Sequence, residues 1–455
     1  MRRSINVVLS LTALLFLTAC GTEEGFVEPV SVPTGFVRVF HALPDSTVLS
    51  VSVSNLNQAS VNFSEASPFF NILPGLSRNM EVFYFPDGRR ELLLNRQLTV
   101  PTRNEATVII AGTVSSPVVL ELQNPPTTST ATDYTEVQIV HAANSLSSEV
   151  GFLLVQDGDF SAQTSVLLGQ FSESLTINPS SGDNYELLAV SSLPATGTAP
   201  TDGQILWRSG SFSLPVQSRA LLVLADYFGP AGKGVRVASL SPSGTQFFSL
   251  ENLPAAIRII NTLPDQGPID VFLNDVLFAA NVTFNEITDG LLTDLRGQFA
   301  LKLTAAGDPS TILAEATPTI SQGNYYTLTV TGLSTDTAPS LALKAEDKRN
   351  IPTRFILTAT HASPSSGLLD YYFVAPATSI TDELPKSINN SLLGASSISF
   401  DPGSYDLIVT DAGTKDIVFG PLAVELVNGE IYNFHLTDAA GGGLPLQIVL
   451  EDGFN

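Results

Sequence analysis

One seven-residue pattern occurs four times in the chain, at a spacing near 100 residues, and self-similarity of that period means a chain built from like units. Phe36-Val37-Arg38-Val39-Phe40-His41-Ala42 returns as Glu136-Val137-Gln138-Ile139-Val140-His141-Ala142 and as Ala256-Ile257-Arg258-Ile259-Ile260-Asn261-Thr262. Its fourth occurrence, one residue longer, is Phe355-Ile356-Leu357-Thr358-Ala359-Thr360-His361-Ala362. The anchor residues His41, His141, Asn261 and His361 are spaced by 100, 120 and 100 residues. Three copies place a proline three positions after the anchor (Pro44, Pro264, Pro364), where the second has Asn144. A second short strand follows, as in Leu49–Val53, Val150–Leu154, Ile269–Leu273 and Leu369–Phe373.

Further strand signals complete each unit. They are Met80–Phe85 and Ala106–Ala111, Tyr185–Val190 and Ala220–Ala225, Phe299–Leu303 and Tyr325–Val330, and Tyr405–Val409 and Ile431–Leu436. Alternation of apolar and polar residues over four to eight positions fits half-buried strands, because successive side chains point to opposite faces. Pro86-Asp87-Gly88, Gln156-Asp157-Gly158 and Asp411-Ala412-Gly413 supply turn residues between such runs. Units of about 100 residues with some seven short strands predict an all-β chain of four tandem immunoglobulin-like β-sandwiches. Their expected spans are 35–124, 134–248, 255–347 and 353–452. Asn124-Pro125-Pro126-Thr127-Thr128-Ser129-Thr130 and Lys348-Arg349-Asn350-Ile351-Pro352 read as spacers, and the longer second unit carries a loop from Ser191 to Gly203.

Composition narrows the setting. Acidic residues outnumber basic ones 44 to 21, a formal charge of −23. Such a surface repels phosphate backbones and argues against nucleic acid as a partner, while it suits solubility outside the cytoplasm. Residues 1–19 have the form of an export signal, with Arg2 and Arg3 ahead of an apolar stretch from Ile5 to Leu17 that is too short to span a bilayer as a helix. Leu17-Thr18-Ala19-Cys20 resembles the bacterial lipobox, and the resemblance implies lipidation at Cys20, the only cysteine in the chain. Several acyl chains at ~0.8 kcal/mol per buried methylene would hold the protein to a membrane. Residues 20–34 read as a flexible tether, and Gly21 after the cysteine implies the outer membrane by resemblance to sorting in double-membrane bacteria.

Val39-Phe40-His41-Ala42-Leu43-Pro44-Asp45 and Ile269-Asp270-Val271-Phe272-Leu273-Asn274-Asp275 together resemble the signature of the domain-of-unknown-function family 4397. That resemblance covers most of the chain after the tether and implies an envelope-associated β domain. Asn261 stands in place of the histidine in the third copy, and the second copy has no proline.

Sites for chemistry are few. Asn261 at the third anchor predicts a shared structural need, a hydrogen bond at the end of the first strand, which Asn and His can both make. His435 is expected at a surface or sheet edge. Asp270 and Asp370 have no second acid or nucleophile at fixed spacing, so a turn-fixing carboxylate is the simpler reading. No Gly-x-Ser-x-Gly, His-Glu-x-x-His or phosphate-loop pattern occurs, and Gly229-Pro230-Ala231-Gly232-Lys233-Gly234 reads as a turn. Asp157-Gly158-Asp159 and the pair Asp411 and Asp416 offer oxygen ligands but no EF-hand pattern, so no catalytic, metal or cofactor site is expected. The resulting expectation is a non-enzymatic envelope lipoprotein whose tandem domains act as spacer and binding or adhesion modules. Its partners would be the membrane, through Cys20, and a polysaccharide or envelope protein. The alternatives are a hydrolase of envelope polymers, or a subunit of an outer-membrane assembly; mean hydropathy of +0.22 favours the latter, as apolar surface reserved for an interface.

Overall fold

In the first unit eight strands form two four-stranded sheets. In chain order they are β1 (Gly35–His41), β2 (Val48–Val53), β3 (Leu56–Asn62), β4 (Phe70–Ile72), β5 (Arg78–Tyr84), β6 (Glu91–Leu98), β7 (Glu105–Thr113) and β8 (Ser116–Asn124). The sheet orders are β4-β1-β7-β8 and β3-β2-β5-β6. Every pairing is antiparallel except β1 with β7, which runs parallel from Phe36 opposite Glu105 to His41 opposite Ile110. The same parallel pairing recurs as Thr135–His141 with Arg219–Gly229, Ala255–Thr262 with Tyr325–Thr331, and Ile356–His361 with Ile431–Thr437.

This computed structural model describes residues 34–452 except 103, 125–133, 147, 179–182, 215–218, 231, 242–243, 248–252 and 337. The export signal, Cys20 and all but the last residue of the tether lie outside the described residues, as does most of the 124–130 spacer. The chain is all-β and folds as tandem sandwiches. The eight-stranded order, with the first strand beside the seventh, is a layout that strand counting alone did not reveal. Each unit has its own core, led by Val39, Val51 and Val108 in the first, Phe152, Leu187 and Leu222 in the second, Ile259, Val271 and Leu328 in the third, and Phe355, Tyr371 and Phe434 in the fourth.

The units do not stand apart as beads: Thr34–Asn455 is one compact unit. The sheets containing β1 and β7 are the reason. On β7, Val108 and Ile110 enter the unit's own core, while Ile109 and Ala111 point the other way. A continuous apolar run of this kind marks a strand buried on both faces. Phe40, Ile109 and Leu120 meet Val140, Leu221, Val223 and Leu240 in an apolar seam between the first and second sandwiches. Part of the chain's apolar surface is therefore covered by the chain itself.

The third and fourth sandwiches are also in contact, with opposite chemistry. Thr327 and Thr329 occupy the register of Thr107 and Ile109, and Asn433 and His435 that of Leu221 and Val223. Here Thr331 Oγ1 donates to the Ala362 carbonyl at 2.7 Å, and Asn285 Nδ2 donates to Gln447 Oε1 at 3.0 Å. Lys348-Arg349-Asn350-Ile351-Pro352, expected as a spacer, is instead bolted down. Ile351 is buried, and Arg349 Nη1 donates to the carbonyls of Pro44 at 3.2 Å and Ser46 at 3.0 Å in the first sandwich.

Candidate functional site

All four anchor side chains are buried at the end of the first strand of their unit. Each accepts a hydrogen bond from the backbone N–H two residues on: Leu43 to His41 Nδ1 (3.1 Å), Ala143 to His141 Nδ1 (3.3 Å), Leu263 to Asn261 Oδ1 (3.1 Å) and Ser363 to His361 Nδ1 (3.2 Å). The far ends differ. His361 Nε2 meets the Gly367 carbonyl at 2.8 Å, and Asn261 Nδ2 donates to the Val282 carbonyl at 2.9 Å. His41 Nε2 faces the carbonyls of Thr47 and Ser46, and His141 Nε2 that of Ser148, without closing a bond of standard geometry. The anchor carbonyls receive N–H groups from Ser64, Gly169, Asn285 and Leu393, all with φ between 58° and 75°. Burial lowers the histidine pKa values, that of His41 to about 3 with help from the nearby Arg349 charge. The anchors thus act unit by unit, each closing its own strand end, and they do not build a shared site.

Carboxylates brace the loops around them. Asp270 accepts N–H groups from Asn281 (2.7 Å) and Gly307 (2.9 Å), and Asp370 accepts those of Asn389 (2.7 Å) and Gly413 (2.9 Å). All four donors sit in left-handed turns. In the first and third sandwiches an acid after β1 or its counterpart caps the hairpin after the seventh strand, as Asp45 does to Val114 N and Asp265 to Ser334 N. In the second and fourth the direction reverses, with Asp226 capping Asn144 and Ser145, and Asp438 binding Ser363 and Ser365. Odd and even units therefore form a pair that occurs twice. Asp370→Ala is expected to lower stability by about 1.5–3 kcal/mol, because N–H groups in two left-handed turns lose a buried, charged acceptor. An unchanged urea midpoint would contradict this role.

His435 overturns the expectation of an exposed position. It is 3% exposed, and its Nε2 lies 3.0 Å from Glu451 Oε2 within the contact between the third and fourth sandwiches. Tertiary packing decides this, since an alternating strand looks half-exposed until another sheet covers its polar face. Glu451, with a side chain 1% exposed, also pairs with Arg258, lies 3.6 Å from Lys348 Nζ and accepts from Thr327 Oγ1 at 3.3 Å. Burial alone would raise its pKa. The hydrogen bond and charge of His435, then Lys348 and Arg258, outweigh burial and bring it to about 2.

A cleft of about 700 Å³ lies where all four sandwiches meet. Phe63 comes from the first unit, Phe228 and Arg236 from the second, Asn324 from the third, Arg349 from the connection and Arg354 from the fourth. Arg349 forks onto Asp347 at 2.6–3.1 Å and lies 4.0 Å above the Phe63 ring. Phe63 meets Phe228 at 6.0 Å between ring centroids. Tyr227 OH donates to the Gly323 carbonyl at 2.7 Å and ties the second sandwich to the third. No short motif could have pointed to this cleft, because its walls come from segments as much as 350 residues apart, from Thr47 to Ser397. Among the described residues no group of three or more His, Cys, Asp or Glu is placed to hold a metal ion.

Two solved structures resemble the chain only weakly. One is described as a "putative adhesin" from Bacteroides ovatus, with 8% identity, a TM-score of 0.16, and coverage of 48% of this chain and 95% of that one. The other is described as a "putative cell adhesion protein" from Bacteroides uniformis, with 11% identity, a TM-score of 0.15, and coverage of 48% and 98%. No curated protein matches the chain. The profile of the family described as "Domain of unknown function (DUF4397)" matches residues 35–148 and 255–372, about half of the chain. Each match begins at the first strand of an odd-numbered sandwich and runs into the even-numbered one that follows. The chain belongs to the DUF4397 family.

Proposed function

We propose that the protein is a non-enzymatic binding protein of the bacterial cell envelope, lipid-anchored through Cys20, whose four sandwiches jointly form one ligand seat. The supporting observation is the junction cleft, to which every sandwich contributes wall residues. Ligand sites favour domain junctions, where a concave surface can be rigid without opening any single core. Fixed relative positions matter because a preorganised seat loses little further entropy on binding. The cleft joins aromatic rings to guanidinium, carboxylate and amide groups, a set suited to holding a polar ligand with a ring.

The anchor and the seat can be tested separately. Cys20→Ser is expected to shift the protein from the membrane pellet to the soluble fraction of fractionated cells, and continued pelleting would overturn the lipid anchor. Full-length protein on beads is expected to retain a polysaccharide fraction of the envelope. Phe228→Ala, at the half-buried ring of the cleft, is expected to lose that retention; equal retention by the variant would overturn the seat.

A further inference from the structure

We infer that the outer sheet face of the third sandwich is a docking surface for a proline-containing extended segment of a partner protein, with an aliphatic side chain of that segment seated on Phe272. This surface is separate from the junction cleft and does not depend on it. Three of the four sandwiches cover the same place with a connection of their own, and the third leaves it open.

Ser52, Leu153, Phe272 and Tyr372 hold one register position on the sheet that lacks the first strand, opposite Glu81, Leu188, Lys302 and Ile408, and all four point away from their own core. In the first sandwich residues 85–90 turn back over this position: the Arg90 guanidinium lies 3.5 Å above the Phe83 ring and donates to Ser52 Oγ at 3.2 Å. In the second, the loop 191–204 brings Leu193 onto Leu153, Val155 and Val190. In the fourth, residues 375–386 bring Ile380 onto Tyr372, Val374 and Ile408. There Lys415 Nζ stands 4.6 Å from the Tyr372 ring and donates to the carbonyls of Ile380 at 2.6 Å and Glu383 at 2.7 Å. Ser52, Leu153 and Tyr372 are accordingly no more than 3% exposed. Each cover lies outside the strands and contains a proline, Pro86, Pro194 and Pro376 among them.

The third sandwich has no such cover among the described residues. Its strands on this sheet are joined by the turns Asn274-Asp275, with φ of 48° and 61°, and Ala306-Gly307, with φ of 75° at the glycine. Hairpin connections this tight cannot reach across a sheet. Phe272 is therefore only half-buried, with Leu277 opposite it at 50% exposure and Ile312, opposite Thr304, at 51%. Lys302 Nζ stands 5.1 Å from the Phe272 ring, as Lys415 does over Tyr372. An ammonium carries three donors. Lys415 gives its own to the Tyr372 hydroxyl and to two carbonyls of its cover, whereas Lys302 gives one to Asp275 at 2.6 Å and keeps donors for the carbonyls of an incoming segment. Proline-containing segments suit such a surface because their stiff, extended backbone loses little entropy on docking against an aromatic ring. Leu277 and Ile312 flank that ring and offer an aliphatic side chain the apolar contact that Leu193 and Ile380 find in their own sandwiches.

The test is photo-crosslinking of the full-length protein with a synthetic peptide of residues 375–386, the fourth sandwich's own cover, made with benzoylphenylalanine in place of Thr381. Adducts are expected within Val276–Val282 and Asp308–Ala316. Leu277→Asp in the protein, or Ile380→Ser in the peptide, should lower their yield about tenfold, the worth of one buried aliphatic side chain. Leu277→Met should crosslink like the parent and show that position 277 tolerates change without unfolding. Phe228→Ala, in the junction cleft, should also leave the yield unchanged, so that failure here and failure of the ligand seat are told apart. Absence of adducts, adducts that map outside the third sandwich, or a yield untouched by Leu277→Asp overturns the proposal. Sedimentation of the parent as a dimer that Leu277→Asp dissociates would assign the face to a second copy and overturn the partner segment as its occupant.

Discussion

Glu451→Ala is expected to cost about 3–5 kcal/mol, the range seen when one member of a buried ionic cluster is removed. Arg258 and Lys348 would lose a carboxylate that they share, and His435 Nε2 its hydrogen-bond partner. The loss should be local. Hydrogen exchange should quicken in Tyr325–Thr331 and Ile431–Thr437, while the fluorescence transition of Trp207, the sole tryptophan and buried in the second sandwich, should stay in place. Replacing Arg258, His435 and Glu451 together by Met, Val and Leu should be neutral or stabilising. Such a change gives this contact the chemistry of the apolar seam, which avoids the desolvation cost of buried ions. A Glu451→Ala protein as stable as the parent would show that these sheets are not held by the ion cluster.

Acid should loosen the molecule through the anchors. The folded-state pKa of His41 is about 3, below the ordinary value near 6.5 for an unfolded chain, and those of His141 and His361 are displaced the same way. Between those limits the unfolded chain binds protons that the native state refuses. Stability therefore rises with pH across this window, is complete above about 6.5 and is lost as pH falls, by up to about 1.4 kcal/mol per pH unit for each histidine. His41→Asn copies the residue already used at position 261 and should keep the bond from Leu43 N while removing one histidine's share of the slope. His41→Leu should instead leave that N–H unsatisfied, at a cost of about 1–3 kcal/mol. Urea midpoints measured from pH 7 to pH 4 separate these outcomes. Glu451 acts in the same direction lower down, contributing fully above about 4.3 and losing its contribution toward pH 2.

Much of this was legible in the chain, and the reason can be given strand by strand. The anchors stood out because a buried strand end must satisfy the same N–H in every unit, and only His or Asn fills that place. The two contacts were also written in the strands. Leu221-Leu222-Val223-Leu224-Ala225 is apolar on both faces, whereas Tyr432-Asn433-Phe434-His435-Leu436 alternates. An alternating strand reads as half-exposed, however, and nothing local says that a second polar sheet covers it. His435 was misplaced for that reason. The cleft was illegible for a different one: Phe63, Arg236 and Arg354 are brought together only when all four sandwiches pack, and each looks like an ordinary surface or strand residue in its own segment.

Double electron–electron resonance between labels at Thr47 of the first sandwich and Ser397 of the fourth, both lining the cleft, tests the packing on which the rest depends. Cys20→Ser removes the only native thiol, so two introduced cysteines would carry the labels alone. Packed sandwiches require a single short, narrow distance distribution that is the same in dilute and crowded solution. A broad distribution reaching to long distances would mean that the first and fourth sandwiches move independently, and neither the shared cleft nor the bolted connection at Arg349 would then exist in solution.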